Sequence, residues 1–98
     1  MPEPYTKLQS SNGTVATAGT AVQVNPVSTP CAQLTITANE GNVGELVYGG
    51  SNVKAAVNGR IGTPLIQGQS VTLPIDDLSK VYLDAVTSGD GFSYSWLS

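Results

Sequence analysis

The chain has no histidine, a single cysteine and few charges of either sign. Its 98 residues include four Lys and Arg against seven Asp and Glu, a net charge of −3. Charged residues are 11% of the chain, where an average soluble domain carries about 25%. Each shortage excludes something. Without histidine there is no Ser-His-Asp triad, no Cys-His pair, no HExxH zinc site and no imidazole switch near neutral pH. One cysteine closes no intrachain disulfide and supplies no CxxC pair. Cys31 alone fits a chain made in a reducing cytoplasm. Four cations in an acidic chain are too few for a broad nucleic-acid surface, which needs clustered Lys and Arg to displace counterions. Long apolar runs are missing too, and no stretch approaches the ~20 residues of a membrane span. The start, MPEPYTKLQSS, lacks the basic and apolar regions of a secretory signal, so none is expected.

What is present is the vocabulary of pleated sheet. There are ten serines, ten threonines and eleven glycines, and valine is the commonest apolar residue. Glu, Lys, Arg and Met, the good helix formers, are scarce. Length gives one domain. Residues 1–13 read as an N-terminal arm, because Pro2 and Pro4 exclude regular ladder pairing there and Ser10-Ser11-Asn12-Gly13 is turn material. Residues 14–98 read as the domain.

The clearest strand is 31–39, with Leu34, Ile36 and Ala38 on one face and Thr35, Thr37 and Asn39 on the other. Residues 43–48 form the next. Val53–Val57 reads as a short irregular strand. Val71–Ile75 alternates but contains Pro74, which places it at an edge or ends it there. Asp76-Asp77-Leu78-Ser79 is a single turn in which a short side chain accepts backbone N–H bonds. Lys80–Val86 alternates again. Phe92, Tyr94 and Trp96 then fall on one face at strict period two. Turn signals every 8–12 residues predict an all-β fold: a small sandwich or jelly-roll-like domain of seven to eight short antiparallel strands behind an extended arm.

Motifs for chemistry are thin. Gly41-Asn42-Val43-Gly44 and Gly49-Gly50 have no Gly-Lys pair and read as turns, not phosphate loops. Ser51 lacks the GxSxG frame and a base. Ser79 beside Lys80 has no supporting spacing for a dyad. Asn12-Gly13-Thr14 matches a glycosylation sequon but is discounted without a secretion signal. Asp76 and Asp77 point to opposite faces in extended chain. Asp84 and Asp90 flank a hairpin and read as solvated turn carboxylates, not a Ca²⁺ loop. Cys31 is a small buried hydrophobe. No cofactor, metal or catalytic residue is expected, and an enzyme is the least favoured class. The aromatic stripe has two readings: a core face, preferred with so few aromatics, or a platform for a sugar ring or a protein partner. Tyr82, opposite Val81 and Leu83, is the better surface aromatic.

From Gly41 on, the phrases VYGGSNVKAA, GTPLIQGQSVTLPIDDLSKVYLDAV and GDGFSYSWL resemble the C-terminal part of small tailed-bacteriophage virion proteins, over roughly residues 43–97. The resemblance implies a jelly-roll-like module on the capsid, of the cement, decoration or head-fibre type. A structural virion protein is therefore expected, made in the host cytoplasm and placed on the capsid surface. It would bind the major capsid protein and stabilise the head. It would also be a homo-oligomer, with a trimer as the guess, and have neither nucleic-acid nor membrane partners. Pro2, Pro4, Tyr5, Tyr82 and Trp96 are the expected interface residues. The alternative is a fibre or tail module binding a host-surface glycan, with Tyr82 or Trp96 near Asp84 and Asp90.

Overall fold

The period-two pattern around Leu34 and Ile36 becomes a strand with every second side chain buried, and the same rule builds the rest. The computed structural model describes residues 7–98. Within them lie eight strands: β1 (Leu8–Thr14), β2 (Val22–Gln23), β3 (Gln33–Ala38), β4 (Leu46–Gly49), β5 (Thr63–Leu65), β6 (Ser70–Leu73), β7 (Tyr82–Ala85) and β8 (Gly91–Leu97). A 3₁₀ turn, Leu78–Lys80, precedes β7.

Two four-stranded sheets form, in the orders β1-β8-β3-β6 and β2-β7-β4-β5, and every pair is antiparallel. The partners 1 with 8, 2 with 7, 3 with 6 and 4 with 5 are those of one long antiparallel ribbon folded at its middle. Rolling that ribbon sends alternate pairs to opposite sheets, which is jelly-roll topology. The expected all-β sandwich is thus the fold.

The sheets close on Leu34, Ile36, Ala38, Phe92, Tyr94 and Trp96 from one side and Leu46, Leu65, Leu83 and Ala85 from the other. Along β8, Tyr94 stacks on Trp96 with ring centroids 5.5 Å apart and meets Phe92 at a tilt, 5.9 Å away. The stripe is therefore a core face. A second, smaller cluster sits on the outside of the β2-β7-β4-β5 sheet. There Val47, Val53 and Ala55 are buried, with Ala21 and Tyr82 packed against them. Residues 50–62 fold back over this face as a flap.

Three sequence expectations change. Residues 8–13 are not arm or turn, because Leu8–Thr14 pairs along its whole length with β8. Pairing overrides the weak local preference of Ser10-Ser11-Asn12-Gly13. Gly13 also has a packing reason to be there: a Cβ at this position would lie 2.5 Å from the Phe92 ring. The remainder of the expected arm, with Pro2, Pro4 and Tyr5, lies outside the described residues. The strand expected at 43–48 starts only at Leu46, because a carboxylate takes the N–H groups of Val43 and Gly44. The irregular strand at 53–57 is reduced to a single bridge between Lys54 and Ile61. Pro74 does end its strand: β6 stops at Leu73.

Candidate interaction surface at the loop end

Antiparallel strands place four connections at one end of the roll: residues 15–21, 39–45, 66–69 and 86–90. Two buried polar side chains fasten the second of these to the fourth. The Asp90 carboxylate accepts from Val43 N at 2.9 Å through Oδ1 and from Gly44 N at 2.8 Å through Oδ2. Asn42 clasps Gly91 in both directions, donating to its carbonyl at 2.9 Å and accepting from its N–H at 2.8 Å. The Gln67 amide donates to Asn42 O at 2.9 Å, and Val86 N donates to Glu45 O at 3.1 Å. Backbone groups that a loop leaves unpaired are thereby satisfied from inside.

The outcome is a fixed scaffold that displays aliphatic side chains. Val43 is 76%, Ile66 55% and Val86 39% exposed. The segments that carry them adjoin: a Cβ on Gly44 would lie 3.3 Å from Val86 Cβ, and Gln67 bridges the chain beside Ile66 to that beside Val43. The four loops contain no Lys or Arg. Of their three carboxylates, Asp90 is buried, Glu45 pairs with Arg60 at 3.2 Å and Glu40 is exposed. Side chains on loops already held in place lose little conformational entropy in any contact they make.

Asp84 fastens the flap in the same way. It is 1% exposed. Its Oδ1 accepts from Gly19 N and Ala85 N at 2.9 and 2.8 Å, and its Oδ2 accepts from Ala55 N at 2.9 Å. Arg60 donates twice to Ala55 O, through Nε at 3.1 Å and Nη2 at 3.0 Å. Asp84 and Asp90 are thus structural anchors and not the solvated turn carboxylates expected from their place beside a hairpin. Alternation gives the face of a residue but does not say what covers that face.

At the opposite end, Asp77 accepts from Ser28 Oγ at 2.6 Å, from Thr29 N at 3.0 Å, and from Ser79 N and Oγ at 2.9 and 2.8 Å. The Ser28 hydroxyl, followed by the Ser79 and Thr29 amides, holds its carboxyl well below the usual carboxylate range. A depressed folded value means that this contribution is present above the unfolded value of about 3.9 and fades as pH falls below it. The Asp77→Asn variant is therefore expected to lose less melting temperature than the parent between about pH 5 and about pH 2. Equal losses in parallel thermal melts would refute this. Nearby, burial first, then Asp77 and Asp76, push the Cys31 thiol up, and its Sγ lies 3.1 Å from Ile75 O. Lys80 and Asp76 pair at 2.8 Å in the open, where such a pair adds little.

Of the expected interface residues, only Tyr82 and Trp96 are among the described ones. Tyr82 is half-buried under the flap. Trp96 is 8% exposed in the main core, and its Nε1 has no partner among the described residues. With Trp96 buried and Asp84 and Asp90 engaged by backbone, the aromatic-acid platform for a sugar is not assembled among the described residues. No group of three metal-ligating side chains occurs among them either. Sequence reading missed Val43, Ile66 and Val86. The signal available was an isolated aliphatic inside turn text, Gly41-Asn42-Val43-Gly44.

The outer face of the β1-β8-β3-β6 sheet is a third surface. Register places Ser10, Ser95, Thr35 and Thr72 in one row and Asn12, Ser93, Thr37 and Ser70 in the next. Thr35 and Thr72 hydroxyls meet at 3.0 Å, and those of Thr37 and Ser70 at 2.6 Å. A shallow depression of about 210 Å³ lies over it. The face carries no charge. The chain matches no protein-family model, no curated protein and no solved structure.

Proposed function

We propose that this chain is a structural assembly protein, a capsid cement or decoration protein of a tailed-phage head that docks on the major capsid protein through its loop end. The observation that carries this is three exposed aliphatic side chains, Val43, Ile66 and Val86, on adjoining loops held by buried Asp90 and Asn42. Isolated surface aliphatics are ordinary, but a group of them on pre-set backbone is what a docking hot spot requires. The jelly roll supports the reading only by analogy, since the same architecture serves viral capsids, lectins and cupins. Low charge adds support, because a mostly covered surface needs little charge to stay soluble. Location on the capsid surface follows from the same reading.

The test uses capsid shells and the purified chain. The parent is expected to co-sediment with shells, and particles lacking it to lose infectivity sooner under heat or osmotic shock. A variant with Val43→Ser, Ile66→Ser and Val86→Ser is expected to keep its melting temperature within a few degrees, since these side chains are outside the core. It is expected to fail to co-sediment. Equal survival of particles without the chain, or undiminished binding by the triple variant, overturns the proposal. A glycan array that captures the chain while shells do not would favour the recognition reading.

A further inference from the structure

A two-sheet roll has four free edges, and three of them are blunted in the ways that prevent strand addition. The β2 edge is two residues long. The β5 edge is three residues with Pro64 at its centre. The β6 edge is four residues, stopped by Pro74. The fourth edge, β1, is seven residues, LQSSNGT, exposed almost throughout, with no charge and no proline. Natural edge strands of this length normally carry a lysine, a proline or a bulge.

The hydrogen-bond phase of β1 is fixed by its ends. Lys7 exchanges bonds with Ser98, at 3.3 and 3.0 Å. Val15 N donates to Asp90 O and Val15 O accepts from Gly89 N, both at 2.9 Å. Odd-numbered residues therefore face β8. By antiparallel alternation the N–H and C=O groups of Leu8, Ser10, Asn12 and Thr14 point away from the sheet, and they have no partner among the described residues.

We infer that β1 pairs with β1 of a second copy about a two-fold axis at Ser11, joining the two sheets into one of eight strands. In this register Leu8 lies opposite Thr14 of the other copy and Ser10 opposite Asn12, so all four outward residues on each chain are used. That gives about eight inter-strand hydrogen bonds. Registers displaced by two residues leave some of these groups unpaired. The segment is also compatible with itself. It has no charge to repel its copy, Ser10 and Asn12 form a hydrogen-bonding cross-strand pair, and the exposed Leu8 gains the Thr14 methyl. Gln9 falls opposite Gly13, which has no side chain to obstruct it. A second copy is the occupant because only a self-matched strand meets all of these conditions at once. The uncharged hydroxyl rows become continuous across the axis, and the two loop ends point in opposite directions, like a staple with a tip at each pole.

A strand pair alone is at the small end of specific interfaces, so the dimer is concentration-dependent. Sedimentation velocity from low micromolar to near-millimolar protein is expected to show a shift from the 10.1-kDa chain to twice that mass. Asn12→Pro removes an outward N–H and leaves the β1-β8 bonds in place. It is expected to weaken association at least tenfold with near-UV dichroism unchanged. Should that variant misfold, Ser11 provides an independent test, since it is exposed and sits opposite its own copy. Ser11→Asp and Ser11→Lys are each expected to be monomeric, and their equimolar mixture to form a heterodimer. A monomer at every concentration, a trimer, or an S11D/S11K mixture that stays monomeric overturns the inference. Failure to bind shells leaves this result unaffected, so the two proposals fail separately.

Discussion

Asp84→Asn is expected to destabilise the protein by about 3–5 kcal/mol, close to the loss of a buried charged hydrogen-bonding group. The side chain is enclosed and accepts three backbone N–H bonds from three separate segments: Gly19, Ala55 and its own neighbour Ala85. An asparagine has one acceptor oxygen. If that oxygen takes the place of Oδ1, the amide NH₂ faces the Ala55 N–H, donor against donor. If it takes the place of Oδ2, the NH₂ faces both Gly19 and Ala85. The first orientation keeps two bonds and releases the flap. Val53 and Ala55 then lift from Val47, so apolar burial is lost along with the hydrogen bond. A domain of this size holds about 5–15 kcal/mol in total, and each kcal/mol moves the midpoint by about 4–8 °C. A fall of about 15–30 °C in melting temperature follows. Urea titration should give the same free energy, and limited proteolysis should cut first within residues 50–62. A variant melting within about 5 °C of the parent would show that the flap is held by packing alone.

The same residue shows where sequence reading stopped. Period-two alternation located Leu34, Ile36, Phe92 and Tyr94 on inward faces correctly, because a strand flanked by two neighbours buries one face whatever the topology. Pro74 and the Asp77 turn were equally legible, since a missing N–H and a short acceptor act within a few residues. Asp84 was placed correctly on the face opposite Leu83. That face is covered by residues 50–62, whose path is set by contacts across the sheet and not by their own pattern. Strand β1 was hidden for a related reason. Its partner β8 lies at the far end of the chain, and the glycine that looked like a turn signal is there for the Phe92 ring. At the loop end, Val43 read as the first residue of a strand, because nothing local indicates that Asp90 captures its N–H. The described residues singled out as interface were two aromatics, and the fold buries Trp96 and half-buries Tyr82 while leaving Val43 and Ile66 outside.

Asp90→Asn separates the loop scaffold from the side chains it displays. Both carboxylate oxygens are engaged, one with Val43 N and one with Gly44 N. Asparagine keeps one of these bonds and turns the other into a donor facing a donor. The expected cost is about 2–4 kcal/mol, a fall of about 10–25 °C in melting temperature. Asn42 still clasps Gly91, so the loop stays attached at its root and loosens at its tip. Amide exchange reports this directly. The Val43 and Gly44 N–H groups are expected to exchange slowly in the parent and at least tenfold faster in the variant at a temperature where both are folded, while Leu34 and Ile36 in β3 remain protected. Uniform acceleration across β3 would mean that Asp90 supports the whole fold and not the loop. The functional consequence has its own direction. All three aliphatic side chains are intact in this variant, so, if the chain docks on shells as proposed, a drop in shell binding below its unfolding temperature measures the cost of ordering the loop anew on each encounter. Binding at parental strength with a loosened tip would show that Val43 docks without needing a fixed backbone, which would remove the reason for burying a carboxylate beneath it.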